Sequence, residues 1–131
     1  MKHLNKILFS LLILASFCCV INTGYAADNT SMEDKKTAIL RGLDKITGKV
    51  LSFSVPVGNS KSFGTLYIQV SACKKALPFE KPEASAFLKI WDAKLNEQPV
   101  EVFSGWMFAS SPALSAMDHA IYDIWVYDCT D

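Results

Sequence analysis

Histidine and cysteine are scarce in this chain of 131 residues, which contains two histidines and four cysteines. Beyond residue 26 only His119, Cys73 and Cys129 remain. A structural zinc site is almost always built from four such ligands, so this part of the chain has too few of them. We therefore predict no metal site, and we expect no cofactor.

An excess of charge of one sign is also missing, because 13 Lys and Arg residues balance 13 Asp and Glu residues. The only tight basic groups are the pairs Lys35-Lys36 and Lys74-Lys75. Nucleic-acid binding is indicated by a basic patch, and attachment to a membrane surface by a basic amphipathic helix. The sequence predicts neither kind of partner.

The sequence has a single long hydrophobic run, which covers the 15 residues from Ile7 to Ile21. Lys2 and Lys6 precede this run, and Gly24-Tyr25-Ala26 follows it, which is the pattern of a secretory signal peptide. A transmembrane helix needs about 20 apolar residues. We predict that residues 1–26 are a cleaved signal peptide, after whose removal no membrane span remains. The alternative is an uncleaved N-terminal anchor.

Residues 27–36 are polar and without periodicity, so we predict a flexible lead, followed by a single β domain over residues 37–131. Apolar and polar side chains alternate in short segments separated by Gly and Pro turns, which indicates strands. Six candidate strands cover residues 37–45, 48–58, 65–73, 86–94, 100–110 and 121–129. This spacing predicts an all-β fold, a small sandwich or barrel of about six or more strands.

Three local signals refine this prediction. Gly42 lies inside the first candidate strand and is expected to mark a bulge or bend. Ser111 suits an N-cap and Pro112 the first helical position, so one short helical segment is predicted near residues 111–118. Pro56 places the second candidate strand at a sheet edge, because proline cannot donate a hydrogen bond to a neighbouring strand.

Cys73 and Cys129 each end a candidate strand. An even, small cysteine count in an exported protein indicates a disulfide, which we predict joins these two residues. Alternation places both on the less aliphatic side of their strands. Two strands whose C-terminal ends meet would be parallel neighbours or would lie in facing sheets. The alternative is two buried free thiols.

His119 is the one candidate for acid–base catalysis, since His3 lies in the predicted signal peptide. Its candidate partners are Asp118 and Asp123 as carboxylates and Ser104, Ser110 and Ser111 as nucleophiles. No G-x-S-x-G motif is present, and residues adjacent in sequence rarely form a triad. The simpler interpretation is a loop histidine at the end of a short helix.

Aromatic side chains offer a better candidate for a binding site. Alternation along three strands places four of them on corresponding faces: Tyr67, Trp91, Trp125 and Tyr127. If these strands share a sheet, the rings form one surface of the kind that binds sugars, peptides or partner proteins. For a domain this small, the simpler interpretation is a second core, covered by the other sheet or by residues 110–120.

Three segments, AILRGLDKITGKV, FSVPVGNSKSFGTLYIQVSAC and VFSGWMFASSPALSAMDHAIYDIWVYDC, together resemble the domain of unknown function 2155 family. The resemblance extends from Ala38 to Cys129. It implies a small exported protein of alphaproteobacteria that resides in the periplasm. It implies no activity and no catalytic residue, because the family has none assigned.

We therefore expect a periplasmic, non-enzymatic binding or interaction module of the cell envelope. Its partner would be an envelope protein or a glycan. The alternative is a small periplasmic hydrolase that uses His119 with a nearby Ser or Asp.

Overall fold

The computed structural model describes residues 31–131, so the predicted signal peptide and the start of the polar lead lie outside the described residues. Its regular structure consists of strands and one short 3₁₀ turn. The strands are β1 (Met32–Asp34), β2 (Thr37–Asp44), β3 (Lys49–Pro56), β4 (Ser60–Phe63), β5 (Leu66–Ala76), β6 (Ala84–Asp92), β7 (Val100–Phe108) and β8 (Tyr122–Thr130), and the 3₁₀ turn covers Pro112–Ser115.

The strands form two antiparallel sheets. In the first sheet the order is β1-β5-β6-β7, and β4 pairs with β5 along the same edge as β1. In the second sheet the order is β3-β2-β8. Pro56 is thus in an edge strand, as its missing N–H requires. The prediction of an all-β fold is confirmed, and the two separate sheets make it an open sandwich rather than a barrel.

The hydrophobic core lies between the two sheets. The first sheet contributes the alternating residues of β5 and β6, and the second those of β2, β3 and β8. The largest of these side chains are at most 3% exposed: Leu40, Val55, Leu66, Ile68, Val70, Leu88, Ile90, Ile124 and Val126. Burial of such surface contributes about 25 cal/mol per Å², which makes this layer the main source of stability.

The structure differs from the sequence predictions in three segments. Met32–Asp34, within the predicted flexible lead, forms β1 against Lys74–Ala76 of β5. Ser60–Phe63, within a predicted turn, forms β4 against the other half of the same edge. The predicted helical segment is reduced to a single 3₁₀ turn, and Ser111 makes no side-chain capping bond there. β1 and β4 are short, polar strands that form because one edge of β5 is free to pair with them. The alternation of residues within each segment does not reveal that edge.

The two cysteines point into the core because a bulge precedes each of them. In β5, Val70 and Ala72 pair with consecutive residues of β6, which leaves Ser71 unpaired. In β8, the same shift leaves Tyr127 unpaired opposite β2. A one-residue shift turns every following side chain to the other face. The predicted side of both cysteines is therefore wrong, and they are at most 1% exposed.

Cys73 and Cys129 are joined by a disulfide, with their Cα atoms 5.8 Å apart. Because Cys73 belongs to the first sheet and Cys129 to the second, the bond connects facing sheets. The position of each cysteine at the end of its strand predicts either parallel neighbouring strands or facing sheets, and the structure has facing sheets. It also ties down β8, the last strand of the described chain.

Gly42 creates a close contact rather than a bulge. It pairs in register with Leu51 on one side and with Ile124 on the other. A Cβ at this position would lie 2.6 Å from ring atoms of Phe63, so the missing side chain lets that ring pack against β2. Phe63 stacks on Phe53 with ring centroids 5.6 Å apart, and both rings are partly buried against the core.

Candidate functional site

His119 uses both of its ring nitrogens for structural hydrogen bonds. Its Nδ1 accepts the backbone N–H groups of Ile121 and Tyr122, each at 3.1 Å. Because an accepting nitrogen carries no proton, the proton is on Nε2, which donates to Oδ2 of Asp92 at 3.1 Å. The ring is also stacked on Tyr122, with centroids 5.5 Å apart. Its side chain is only 8% exposed.

The carboxylate partner of His119 is Asp92, at the end of β6, and not the predicted Asp118 or Asp123. Oδ1 of Asp92 also accepts the hydroxyl of Thr65 at 2.5 Å. This hydrogen bond, and secondly the one from His119, hold the pKa of the Asp92 carboxyl below its usual range, against the opposing effect of burial. A carboxylate placed between a hydroxyl and a histidine is not the order of a catalytic triad, in which the histidine stands in the middle.

The predicted nucleophiles do not approach His119. Ser110 donates its hydroxyl to Glu83, and Ser104 lies on the outer face of β7 opposite Lys89. Ser111 precedes the 3₁₀ turn and is exposed. The contacts within residues 31–131 therefore give His119 a structural role, in which it fixes the chain before β8 to the end of β6.

The structure brings two of the four predicted surface aromatics together and places the other two elsewhere. Tyr67 and Trp91 are cross-strand neighbours on the outer face of the first sheet. Trp125 and Tyr127 belong to β8, in the second sheet. The expectation of one surface made by all four rings is therefore wrong. Alternation assigns a side chain to a face of its strand, but not to one of two sheets.

Tyr127 has a partner of its own in the second sheet. The guanidinium of Arg41 lies 3.7 Å from the centroid of its ring, which is a cation–π contact. Arg41 is also the cross-strand neighbour of Trp125. Arg41 thus covers part of the Tyr127 ring, although Tyr127 keeps 52% of its surface exposed.

A cleft of about 460 Å³ opens beside Tyr67 and Trp91. The two ring centroids are 6.3 Å apart and the rings are inclined by 48°. Strand pairing sets Ser62 beside Tyr67, and Ser60 beside Gln69, along the β4 side of the cleft. Tyr67 is 46% exposed. This arrangement combines aromatic faces with hydroxyl and amide groups, as is typical of ligand sites.

Two more aromatic side chains share the outer face of the first sheet. Phe87 of β6 is paired with Trp106 of β7, and their rings meet edge to face at 5.7 Å. This pair is not among the surface residues predicted from the sequence. Phe87 has the same strand parity as Trp91, which was the available signal, but the pairing of β6 with β7 is set only by the fold. Between the two aromatic pairs lies a polar row that includes Gln69 and Lys89.

A second concavity, also of about 460 Å³, surrounds Glu83. The Glu83 carboxylate accepts the backbone N–H groups of Ala84 and Ser110 at 3.0 and 3.1 Å and also the Ser110 hydroxyl. Lys75 pairs with Asp128 at 2.8 Å on the same wall. Lys75, Glu83 and Asp128 are thus already paired within the domain, which makes this concavity the weaker candidate.

The described residues contain no helix long and apolar enough to cross a membrane. Within the same part of the chain, no group of three or more His, Cys, Asp or Glu side chains is arranged to hold a metal ion. The geometry favours the cleft beside Tyr67 and Trp91 as the candidate site, because it combines two aromatic faces with hydroxyl and amide groups.

Comparison with known proteins gives a family but no described activity. The protein family described as "Uncharacterized protein conserved in bacteria (DUF2155)" matches residues 38–129 of this chain. An uncharacterized protein of Rickettsia prowazekii (strain Madrid E) is 34% identical over 87 residues, which are 66% of this chain and 56% of that protein. This chain thus spans little more than half the length of that relative. No solved structure matches. Since the matched region extends from β2 to β8 and includes both aromatic pairs and both disulfide cysteines, the chain belongs to the DUF2155 family of uncharacterized bacterial proteins.

Proposed function

We propose that this domain is exported to the periplasm and acts there as a non-enzymatic binding module of the cell envelope. Its partner, an envelope protein or a glycan, docks on the outer face of the first sheet. The observation that carries the proposal is the Tyr67–Trp91 pair, which borders a cleft while the core of the sandwich lies on the opposite face of the same strands.

Tyr67 keeps surface that is available for a ligand to bury. Full burial of a large apolar side chain contributes about 1.5–3 kcal/mol, and Tyr67 with 46% exposure realises only part of this gain within the domain. A ligand that covers Tyr67 and Trp91 would add the remaining part as binding energy. Aromatic residues at the centre of an interface commonly contribute most of its affinity.

The export step rests on the sequence of residues 1–26 and agrees with the disulfide, since disulfides persist in oxidising compartments. Fractionation of the cells followed by N-terminal sequencing tests it. We expect periplasmic protein that begins at or near Ala27. Intact protein beginning at Met1 in the membrane fraction would contradict cleavage and support an anchor.

The binding step is tested by co-sedimentation of the purified protein with a Gram-negative cell-envelope preparation. We expect Tyr67→Ala and Trp91→Ala each to raise the apparent Kd for the envelope about tenfold or more, which corresponds to a loss of about 1.4 kcal/mol of binding free energy. Tyr127→Ala is the matched control, because it removes a ring of similar exposure from the second sheet. Circular dichroism establishes that each variant is folded.

Two results would refute the proposed site. One is co-sedimentation that Tyr67→Ala and Trp91→Ala leave unchanged. The other is an equal loss in all three variants, since this would show no preference for the first sheet. Pretreatment of the envelope with protease, in a parallel sample, separates a protein partner from a glycan.

A further inference from the structure

We propose that the ligand of the cleft beside Tyr67 and Trp91 is a neutral glycan. This inference rests on the proposed function and narrows it from two partner classes to one. It is drawn from the charge, the hydrogen-bonding groups and the arrangement of the residues that line the cleft.

The lining of the cleft contains no charged side chain. It consists of two serines, one threonine and one glutamine, together with the two aromatic residues and small or apolar residues: Ser60, Ser62, Gly64, Thr65, Leu66, Tyr67, Gln69, Trp91, Ala93 and Pro99. Asp92, beside Leu66, is buried and already bonded to Thr65 and His119. The charged side chains next to the cleft on the outer face are Lys89, beside Gln69, and Glu101, beside Trp91, and they have opposite signs. A ligand of strong charge would find no counter-ion here, so the lining favours a neutral one.

The polar groups of the cleft stand in a regular order across three strands. Ser62, Tyr67 and Trp91 form one row over β4, β5 and β6, and Ser60 and Gln69 begin the next. Adjacent strands lie about 4.8 Å apart, so hydroxyl and amide groups flank the rings at short range. The Thr65 hydroxyl already donates to Asp92 at 2.5 Å, whereas the side chains of Ser60, Ser62 and Gln69 make no hydrogen bond within the described residues.

A sugar matches both parts of this surface at once. The C–H face of a pyranose ring packs on an aromatic face, while the hydroxyl groups at its rim exchange hydrogen bonds with neutral donors and acceptors such as Gln69 and Ser62. A proline-rich peptide also packs on aromatic rings, but its repeated prolines require a groove lined by successive aromatic residues. This cleft has one aromatic pair and a polar side, which favours the polyhydroxylated ligand.

Nuclear magnetic resonance titration of the purified, ¹⁵N-labelled protein tests this inference. The probes are chitotetraose, cellotetraose and maltotetraose, with an octaproline peptide as the competing class. We expect at least one oligosaccharide to shift the Trp91 indole resonance and the backbone amides of residues 60–69, whereas octaproline leaves them unchanged. Trp91→Ala is expected to weaken that binding about tenfold or more, and Trp125→Ala in the second sheet less than twofold.

Gln69→Ala provides a second variant that keeps both rings, and we expect it to weaken oligosaccharide binding about fivefold or more, as loss of one hydrogen bond would do. The inference is overturned if no oligosaccharide shifts these resonances, if octaproline shifts them instead, or if the shifts persist in Trp91→Ala and Gln69→Ala. These results leave the proposed binding function to be decided separately, by the co-sedimentation of the Tyr67 and Trp91 variants with envelope.

Discussion

Replacement of Gly42 by alanine should destabilise the domain through a steric conflict with a single ring. The new Cβ would lie 2.6 Å from two ring atoms of Phe63 and 2.8 Å from a third. Phe63 cannot move freely, because it stacks on Phe53 and meets the edge of Tyr122, each with centroids 5.6 Å apart. Overpacking of this kind typically costs about 1–3 kcal/mol, a large fraction of the 5–15 kcal/mol that stabilises a small domain.

A double-mutant cycle in urea, followed by tryptophan fluorescence and circular dichroism, measures this conflict. Gly42→Ala alone should lower the free energy of unfolding by about 1–3 kcal/mol. In a Phe63→Ala background the ring is gone and the added methyl group fills vacant space. There we expect the same substitution to cost nothing or to stabilise by up to about 1 kcal/mol, since alanine is favoured over glycine in a strand.

Gly48→Ala serves as the control for backbone effects. Gly48 has a φ of +71° and no atom within 4 Å of the position its Cβ would take. Alanine there is expected to cost about 1–2 kcal/mol through the left-handed backbone alone, with or without Phe63. If Gly42→Ala changes stability by less than about 0.5 kcal/mol, or if its cost is the same in both backgrounds, the argument for close packing at Gly42 is wrong.

Three further predictions concern the disulfide, the buried carboxylate and the aromatic face. Reduction of the disulfide, whose cysteines are 56 positions apart, should lower the free energy of unfolding by about 4 kcal/mol; alkylation without reduction that adds two groups per chain would contradict the bond. The folded pKa of Asp92 is lowered, so its stabilising contribution is present at neutral pH and is lost as the pH falls below about 4. As the pH is lowered from 6 to 2, the urea midpoint of unfolding should therefore fall less steeply for Thr65→Val than for the wild type. Identical pH dependences would argue against the Thr65–Asp92 bond. Tyr67→Ala should lower the free energy of unfolding by about 1 kcal/mol or less, against about 2–5 kcal/mol for the buried Leu88→Ala, and comparable losses would identify the Tyr67 ring as core.

The sequence by itself determined six of the eight strands and the inner face of most of those six. Leu88 and Ile90 alternate with Phe87 and Trp91, and the structure buries the first two and leaves the others on the outer face. This information is local, because successive side chains of a strand point to opposite faces whatever the strand pairs with. The family assignment and the pairing of the two cysteines also followed from the sequence.

Only the tertiary structure decided how the strands were distributed over two sheets and where alternation broke. Tyr67 and Trp125 have equivalent positions within their strands, yet they lie in different sheets. The bulges at Ser71 and Tyr127 reversed the expected direction of the cysteines, and His119 found its partner 27 positions away in Asp92. Each of these outcomes depends on which strands pair and in which register, and that choice is made by the packing of the whole core rather than by any one segment.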